Sequence, residues 1–581
     1  MSKSVAVIGA GPAGIIAARK LLQCGQFTVT IFEKGDCIGG SWVPNGIINP
    51  NMRTNQSKFT MSFSDLSWES LGSSPVYPKA ADVYLYLEEY VKRYIPVRNI
   101  RFRTAVVKVE QIPEASVAGG NRWKLQLHET IADGDSHEYN PPPSFTVGLV
   151  TPEKVKASRK MIRSIIDGDE GYVDTRRIDE LAPIGILGDS YPQFVKTGRI
   201  LHVRGTLSRL KQVDEEYATA IIQNVKKDDY FGVDSVCAVI QATGFDTASS
   251  LDLLSSQIKT ALDHDPTCSP APFILDTKFL SQNLSLPTLG IVGYPGAYWP
   301  LFEMQARAIV NAWTSSSSLK LTNTPSDVGQ RSKLRRYYTD LRRAFKEGRK
   351  AEVPHNPFGD SLGLLEQASR ELDLERFDLG SSEAEGFVCS ARYTEPGSDK
   401  TEAMKTLMEV QRVQRRGRQG SFLARAVARG LMGKWIAAEL SSNGEFEVVQ
   451  RSFHPMYPTD EAFDWEYLMV GKGDEKTVRK VYRYSEATDC ITVWNVAEDG
   501  SNTGTQMATF DFKHAQQEHG KHTAVTVLAP LHSQGGSVDK MAVFRFHFAG
   551  SLLKTWTMRW PGSPYWIAEL NFVRAGLRQW H

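Results

Sequence analysis

The opening forty residues constrain this chain more than anything that follows them. Val5-Ala6-Val7-Ile8 is a short apolar run, Gly9-Ala10-Gly11-Pro12-Ala13-Gly14 follows directly, and Ile15 to Gln23 then carries helical spacing. Such a run predicts a strand covered on both faces, so the segment is strand, G-x-G-x-x-G, helix. Each glycine has a task in that unit. Gly9 permits the tight turn, Gly11 lets a diphosphate approach the backbone, and Gly14 lets helix and strand pack closely. The helix N-terminus then offers N–H groups to the phosphates. A second strand, Phe27 to Phe32, ends at Glu33, which stands 19 residues past Gly14. That is close to the ~20 expected of the acid that accepts hydrogen bonds from a ribose. Together these features predict a Rossmann-type dinucleotide site, without separating FAD from NAD. Gly39-Gly40-Ser41-Trp42 adds a second close backbone approach and an indole wall, more than a simple dehydrogenase needs. Core packing is the alternative for Trp42.

With 581 residues, the chain has room for two to four domains. Its 68 basic and 66 acidic side chains leave a formal charge of +2, so no global field favours nucleic acid or an anionic membrane. The six cysteines are single, with no C-x-x-C pair and no histidine at zinc spacing. That pattern predicts free thiols in a reducing compartment and no metal site. Met1-Ser2-Lys3-Ser4 runs straight into the first strand, and no stretch of ~18 apolar residues occurs. The expectation is a cytoplasmic protein without a membrane span.

Beyond the opening unit, Arg53-Thr54-Asn55-Gln56-Ser57-Lys58 leads into Met61-Ser62-Phe63-Ser64-Asp65, and Tyr77-Pro78 precedes a helix from Ala80 to Tyr94. Later come Ala242-Thr243-Gly244-Phe245-Asp246, Gly293-Tyr294-Pro295 and Leu301-Phe302-Glu303-Met304-Gln305-Ala306-Arg307. In this order the chain resembles the flavin-containing monooxygenases and their Baeyer–Villiger relatives, over residues 1 to about 110 and about 195 to 380. The resemblance implies an FAD enzyme that passes one oxygen atom from a C4a-hydroperoxyflavin to a small, largely apolar metabolite, with O2 as co-substrate. It implies that Gly9, Gly11, Ala13, Gly14, Glu33, Gly40, Ser41 and Trp42 contact FAD, that the Val106 backbone meets the adenine, and that Thr243 and Gly244 bring a returning strand to the cofactor. Asn55 matches the family's active-site asparagine, which can donate a hydrogen bond without being an acid. An ordinary turn residue is the alternative for it. Tyr298 and Trp299 stand as dry walls or as packing.

One part of the family pattern is missing. Residues 110 to 242 hold no second G-x-G-x-x-[GA] for NADPH and no F-x-G-x-x-x-H. Gly185-Ile186-Leu187-Gly188 has the wrong spacing, and a basic helical patch, Thr151 to Asp167, stands where that fold would begin. NADPH binding is therefore left open, with a reduced or absent NADPH subdomain around 146–196.

The C-terminal third changes period. Six arginines between Gln411 and Arg429 accompany Phe422, Leu423, Val427 and Leu431 at helical spacing, predicting a helix that lies on the next domain. The Ser-, Gly- and Glu-rich stretch Asp378 to Lys400 reads as the linker before it. After Trp435 the alternation is two: Phe463, Trp465, Tyr467, Met469, then Phe544, Phe546, Phe548, then Trp556, Met558, Trp560. About eight antiparallel strands suit a closed barrel, either solid or holding one small ligand. Gly433-x-Trp435 is similar to the lipocalin opening, and the region resembles lipocalin-like domains of fungal biosynthetic proteins, which links the chain to secondary metabolism. The expected architecture is thus an α/β Rossmann-type FAD-binding domain (1–377), a linker and helix (378–430) and a C-terminal antiparallel lipocalin-like β-barrel (431–581). Two other functions stay open: a barrel acting as isomerase, cyclase or ligand-binding module beside a structural flavin domain, and an oxidase independent of NADPH.

Overall fold

A computed structural model describes residues 3–112, 122–129, 200, 205–239 and 251–574, interrupted most notably at 295–297, 315–324, 354–360, 378–388 and 561–568. The described residues form two compact units, one holding 3–129 and 251–418, the other 200, 205–239 and 422–574. Among them no helix is long and apolar enough to cross a membrane. Thr151 to Asp167, the glycine cluster at 185–188, Thr243, Gly244 and Trp560 lie outside the described residues.

The first unit opens with β1 (Lys3–Ile8), α1 (Pro12–Cys24) and β2 (Phe27–Phe32). β1 pairs in parallel with β2, from Lys3 opposite Phe27 to Ile8 opposite Phe32. The crossover is long enough only because α1 spans it. Phe27, Val29 and Ile31 alternate into the core, and α1 stops at Gly25, whose positive φ lets its N–H reach the Leu22 carbonyl at 3.1 Å. One expectation is corrected here. β1 buries Val7 against α1, but Ile8 is 45% exposed, because in this unit α1 covers one face of the strand only.

α2 (Ala80–Tyr94) follows, burying Val83, Tyr86, Leu87, Tyr90 and Val91, the apolar stripe of an amphipathic helix. Its start is fixed by Asp82, which accepts from the Lys79 N–H at 2.8 Å. The short β3 (Ile100–Arg101) pairs beside β2, and β4 (Thr104–Ile112) runs antiparallel to β5 (Arg122–Glu129). β6 (Thr206–Gln212), β7 (Ala218–Gln223) and β8 (Tyr230–Val236) form a three-stranded sheet that belongs to the second unit.

Back in the first unit come α3 (Ser256–Ala261), α4 (Trp299–Thr314), α5 (Pro325–Lys346), α6 (Ser361–Glu371), then β9 (Glu375–Arg376), β10 (Tyr393–Thr394) and α7 (Thr401–Arg418). The basic helix α5 turns Tyr338 and Leu341 into a cluster with Ile258, Leu262 and Leu275. The described part of the expected linker is not an exposed connector. Cys389, Ala391 and Tyr393 are fully buried, and β10 pairs with β9. The polar composition of 378–400 hides this, because Cys389, Ala391 and Tyr393 among polar neighbours suffice to anchor a short strand.

In the second unit α8 (Leu423–Leu431) precedes β11 (Gly433–Leu440), β12 (Phe446–Met456), β13 (Trp465–Lys472), β14 (Thr477–Ser485), β15 (Cys490–Val496), β16 (Asn502–Asp511), β17 (Gln516–Glu518), β18 (Thr523–His532), β19 (Val538–Ala549), β20 (Leu552–Arg559) and β21 (Glu569–Arg574). Neighbouring strands pair antiparallel from β11 to β16, and β11 pairs with β21 to continue through β20 and β19 to β18. A single pairing, Ala508 opposite Leu531, joins β16 to β18 and nearly closes a ring of ten strands. The expectation of about eight is corrected: ten strands make the barrel, and closure needs no more than alternation supplies, so alternation does not count them. Its interior is aromatic, including Trp435, Phe453, Phe510, Phe546 and Phe572. The single expected helix is two. The first, α7, ends at Arg418, and α8 packs Ala424, Val427 and Leu431 into the barrel core.

Candidate dinucleotide site

The turn after β1 opens on one positive-φ glycine, Gly9, and a second turn with two more, Gly39 and Gly40, folds onto it. Gly9 has φ +93°, and its N–H donates to the Phe32 carbonyl at 2.8 Å, holding the turn at the ends of the paired strands. A side chain on Gly14 would meet the Gly9 carbonyl oxygen at 2.0 Å, so only glycine lets α1 start this close to the strand. The second glycine pair folds onto the first. Gly39 donates to the Ala10 carbonyl at 2.9 Å, and Gly40, at φ +59°, lies so near that a Cβ there would be 3.1 Å from Gly11 Cα. Gly11 itself has only ordinary contact room to Gly40, 3.7 Å. Trp42 closes a short 3₁₀ turn from Gly40 and packs half-buried on the core of β1, α1 and α2. Ser41 lies between them in that turn.

Two features of this cradle fit a dinucleotide. First, α1 has thirteen residues, Pro12 at its start, no acid in its first turn and no side chain capping it. Its terminal N–H groups and dipole are left to an anion. Second, the Glu33 carboxylate is aimed by backbone: Oε2 accepts from Ala10 N–H at 2.6 Å and Oε1 from Gly35 N–H at 2.8 Å. Each oxygen retains a lone pair for a ribose hydroxyl. The Glu33 backbone in turn fixes β4, since its carbonyl accepts from Thr104 N–H at 2.8 Å. Val106 therefore lies two residues further along β4, half-buried.

From the far side, Gly293 (φ +103°) comes within 3.3 Å of the Ala13 Cβ if given a Cβ of its own. Gln305 holds it there. Its Oε1 accepts from Gly293 N–H at 2.9 Å, while Nε2 donates to the carbonyls of Tyr294 (2.5 Å) and Phe279 (3.0 Å). Phe279 and Leu280 both sit at positive φ, so this clamp holds a strained turn.

The Asn55 loop is pinned on both sides. Thr54 N–H donates to Pro78 O at 3.0 Å and Lys58 N–H to Val76 O at 2.8 Å, while Asn55 itself is exposed. The loop's far end is locked by a buried ion network. Ser64 gives its N–H and hydroxyl to Glu303 at 3.0 and 2.5 Å, and Glu303 also takes Lys20 at 3.0 Å and Arg307 at 2.8 Å. Arg307 reaches on to Glu395 at 2.8 Å and the Tyr393 carbonyl at 3.1 Å. Burial alone would raise the Glu303 pKa, but Arg307, Lys20 and Ser64 hold it well below the ordinary carboxylate range. The network ties α1, the 57–67 loop, α4 and β10 to one another.

The structure thus gathers Gly9, Gly11, Ala13, Gly14, Glu33, Gly40, Ser41 and Trp42 in one place, with Val106 on an attached strand and Asn55 on a separate pinned loop. Trp299 is not a wall of a site: it is buried and stacks on Phe63 with ring centroids 4.9 Å apart. Tyr298 is buried as well, and burial pushes its pKa up to about 12. Sequence reasoning gave Glu303, Gln305 and Arg307 no roles. The available signal was three long polar side chains inside an otherwise apolar helix. Among the described residues no group of three or more His, Cys, Asp or Glu could hold a metal ion.

Comparison with known proteins follows the same residues. A family model described as flavin-binding monooxygenase-like matches residues 2–134. The flavin-containing monooxygenase FMO GS-OX-like 6 of Arabidopsis thaliana is 32% identical over 152 residues, 22% of this chain and 31% of that protein. FMO GS-OX-like 11 of the same plant is also 32% identical over 152 residues, which make up 88% of its length. A solved structure titled an oxidized steroid monooxygenase bound to NADP is 28% identical over 22% of this chain and 23% of its own, with a TM-score of 0.19. The chain spans about a third of the length of the first curated relatives it matches. With 88% of one relative's length matched at 32% identity, and a family model whose match spans the glycine cradle and Glu33, the chain belongs to the flavin-containing monooxygenase family.

Proposed function

We propose that the chain is an FAD-dependent monooxygenase that transfers one atom of O2 to a small, largely apolar metabolite. The observation that carries this reading is the uncapped N-terminus of α1 beneath paired glycine turns, beside a carboxylate aimed by two backbone N–H groups. FAD supplies the electron transfer and oxygen activation when bound. The loop Gly9 to Gly14 and the first turn of α1 would hold its diphosphate, Glu33 a ribose, and the Val106 backbone the adenine, with Thr243 and Gly244 assigned by resemblance. Asn55 would donate a hydrogen bond to the oxygen being transferred; it brings no acidic proton that could discharge that oxygen early. The Glu303 network keeps the Asn55 loop in place while charge moves nearby, because a fully paired buried network resists rearrangement.

The test is anaerobic reduction of the FAD-loaded protein by NADPH, by NADH and by candidate apolar substrates. Bleaching by NADPH followed by oxygenated product on admitting air is the expected result. Bleaching by substrate alone would replace this reading with the NADPH-independent oxidase. A flavin reduced by none of them would overturn both.

A further inference from the structure

The Asn55 loop has a further anchor, made by a helix from far along the chain. Residues 54–61 turn tightly on themselves: Thr54 Oγ1 donates to the Gln56 carbonyl at 2.7 Å, and the N–H groups of Thr60 and Met61 donate to the Ser57 carbonyl at 3.0 and 3.1 Å. Asn55 is exposed within this turn, so the backbone on either side of it, and not packing of its own side chain, sets its direction. Three residues on stands Lys58, a long cationic side chain in a residue only 2% exposed. Its ammonium donates to the Ser74 carbonyl at 2.7 Å and the Ser74 hydroxyl at 3.2 Å, and it lies 2.6 Å from Glu409 Oε1 on α7.

The same face of α7 holds the rest of the segment. Glu402 accepts from Ser67 N–H and from the Ser70 hydroxyl, both at 2.8 Å, and Arg412 pairs with Glu69 at 2.9 Å. Glu402, Glu409 and Arg412 share that face because seven and then three residues separate them. Phe59, next to Lys58, packs with Ala403, Leu407 and Val410. Glu409 lies far outside residues 2–134, where the family model matches. Stability does not explain the Lys58–Glu409 pair. Desolvating two buried charges offsets most of their attraction, and an apolar pair of similar volume often holds as firmly. The Glu409 Oε2 is buried with no hydrogen-bond partner among the described residues, which adds to the cost. What the pair supplies in return is direction, because the ammonium meets Glu409 and both Ser74 oxygens in one arrangement.

We propose that Lys58 and Glu409 are positioning residues for the oxygen-transfer step, an inference that rests on the monooxygenase reading above. Through this pair α7 fixes the 54–61 turn and so the aim of Asn55 at the oxygen being transferred. Both residues act through Asn55. A donor displaced by about 1 Å loses on the order of a hundredfold in rate, so a loop held in one place matters more here than a loop held firmly.

The test needs neither NADPH nor a substrate. FAD-loaded full-length protein is reduced with dithionite without air and mixed with air-saturated buffer; the reduced flavin passes two electrons and two protons to O2, leaving oxidised flavin and hydrogen peroxide, and peroxide release is timed. We expect Asn55→Ala and Glu409→Leu each to release peroxide about tenfold or more faster than wild type. In the FAD-free protein Glu409→Leu should also speed hydrogen exchange over residues 57–61 by about tenfold, with α1 unchanged. The double variant Lys58→Met with Glu409→Leu separates aim from stability. It strands no charge, so its thermal midpoint should return to the wild-type value while peroxide release stays fast. Wild-type peroxide timing in the double variant, beside fast release in Asn55→Ala, would overturn this inference and leave the monooxygenase reading standing. Wild-type timing in Asn55→Ala would overturn both.

Discussion

The two units solve the same problem, holding side chains in fixed places, with opposite materials. Around the dinucleotide cradle the scaffold is polar. Lys20, Ser64, Glu303, Arg307 and Glu395 join four segments distant in sequence through charge-assisted bonds. In the barrel the scaffold is a ring of aromatics, with Trp556 stacked on Phe572 at 4.0 Å and Phe510 against Phe544 at 4.5 Å. The difference teaches where each unit can be broken. A paired ion network fails when one partner is removed, because the remaining charges stay buried. An aromatic interior fails by cavity.

Removing single groups sharpens that contrast most strongly. Glu303→Ala should cost about 3–5 kcal/mol by stranding Lys20 and Arg307. Hydrogen exchange should show the loss in α1 and α4 and leave β18 to β20 as protected as before. Phe546→Ala, a side chain only 1% exposed, should cost about 3–5 kcal/mol with the reverse distribution. Loss spread evenly over both units by either variant would break the comparison.

At the site itself, Asn55→Ala should retain flavin and lower oxygenated product by about 10²–10³, the effect of removing one positioned donor. Hydrogen peroxide should be released instead; unchanged product yield would remove Asn55 from the account. Backbone space gives a smaller effect. Gly14→Ala should destabilise the first unit by roughly 1–3 kcal/mol or more, since its Cβ meets a carbonyl oxygen, while Gly11→Ala, with ordinary room, should leave stability within about 0.5 kcal/mol. Equal effects would mean that the cradle is not packed as described.

Acid distinguishes the scaffolds as well. Because the Glu303 pKa is lower folded than unfolded, its carboxylate adds stability that is fully present above an unfolded value of about 4.5. That contribution drains away as pH falls from there toward the folded value of about 2. Urea midpoints of the first unit should therefore fall over that window, and Glu303→Gln should flatten the fall. An identical slope in the variant would assign the acid sensitivity elsewhere.

How much of this could be read from residues alone differs between the units for a physical reason. Gly9, Gly11, Gly14 and Glu33 were legible because phosphate approach and close helix packing demand particular residues at fixed spacing. Gln305 and the Glu303 network were not, because their partners are carbonyls and side chains from distant segments, and no local spacing encodes them. In the barrel, alternation marked the inward face of Phe544, Phe546 and Phe548, all buried, yet it did not fix ten strands, since strand number depends on closure. The short strand β10 was hidden by its polar neighbours.

The central claim is that the glycine cradle at the start of α1 seats FAD. The most direct measurement is titration of the purified full-length protein with FAD, followed by flavin fluorescence, beside Gly11→Val. The account predicts one FAD per wild-type chain and none retained by the variant, with its thermal midpoint kept. Absence of FAD uptake by the wild-type protein, or full occupancy in Gly11→Val, would contradict it.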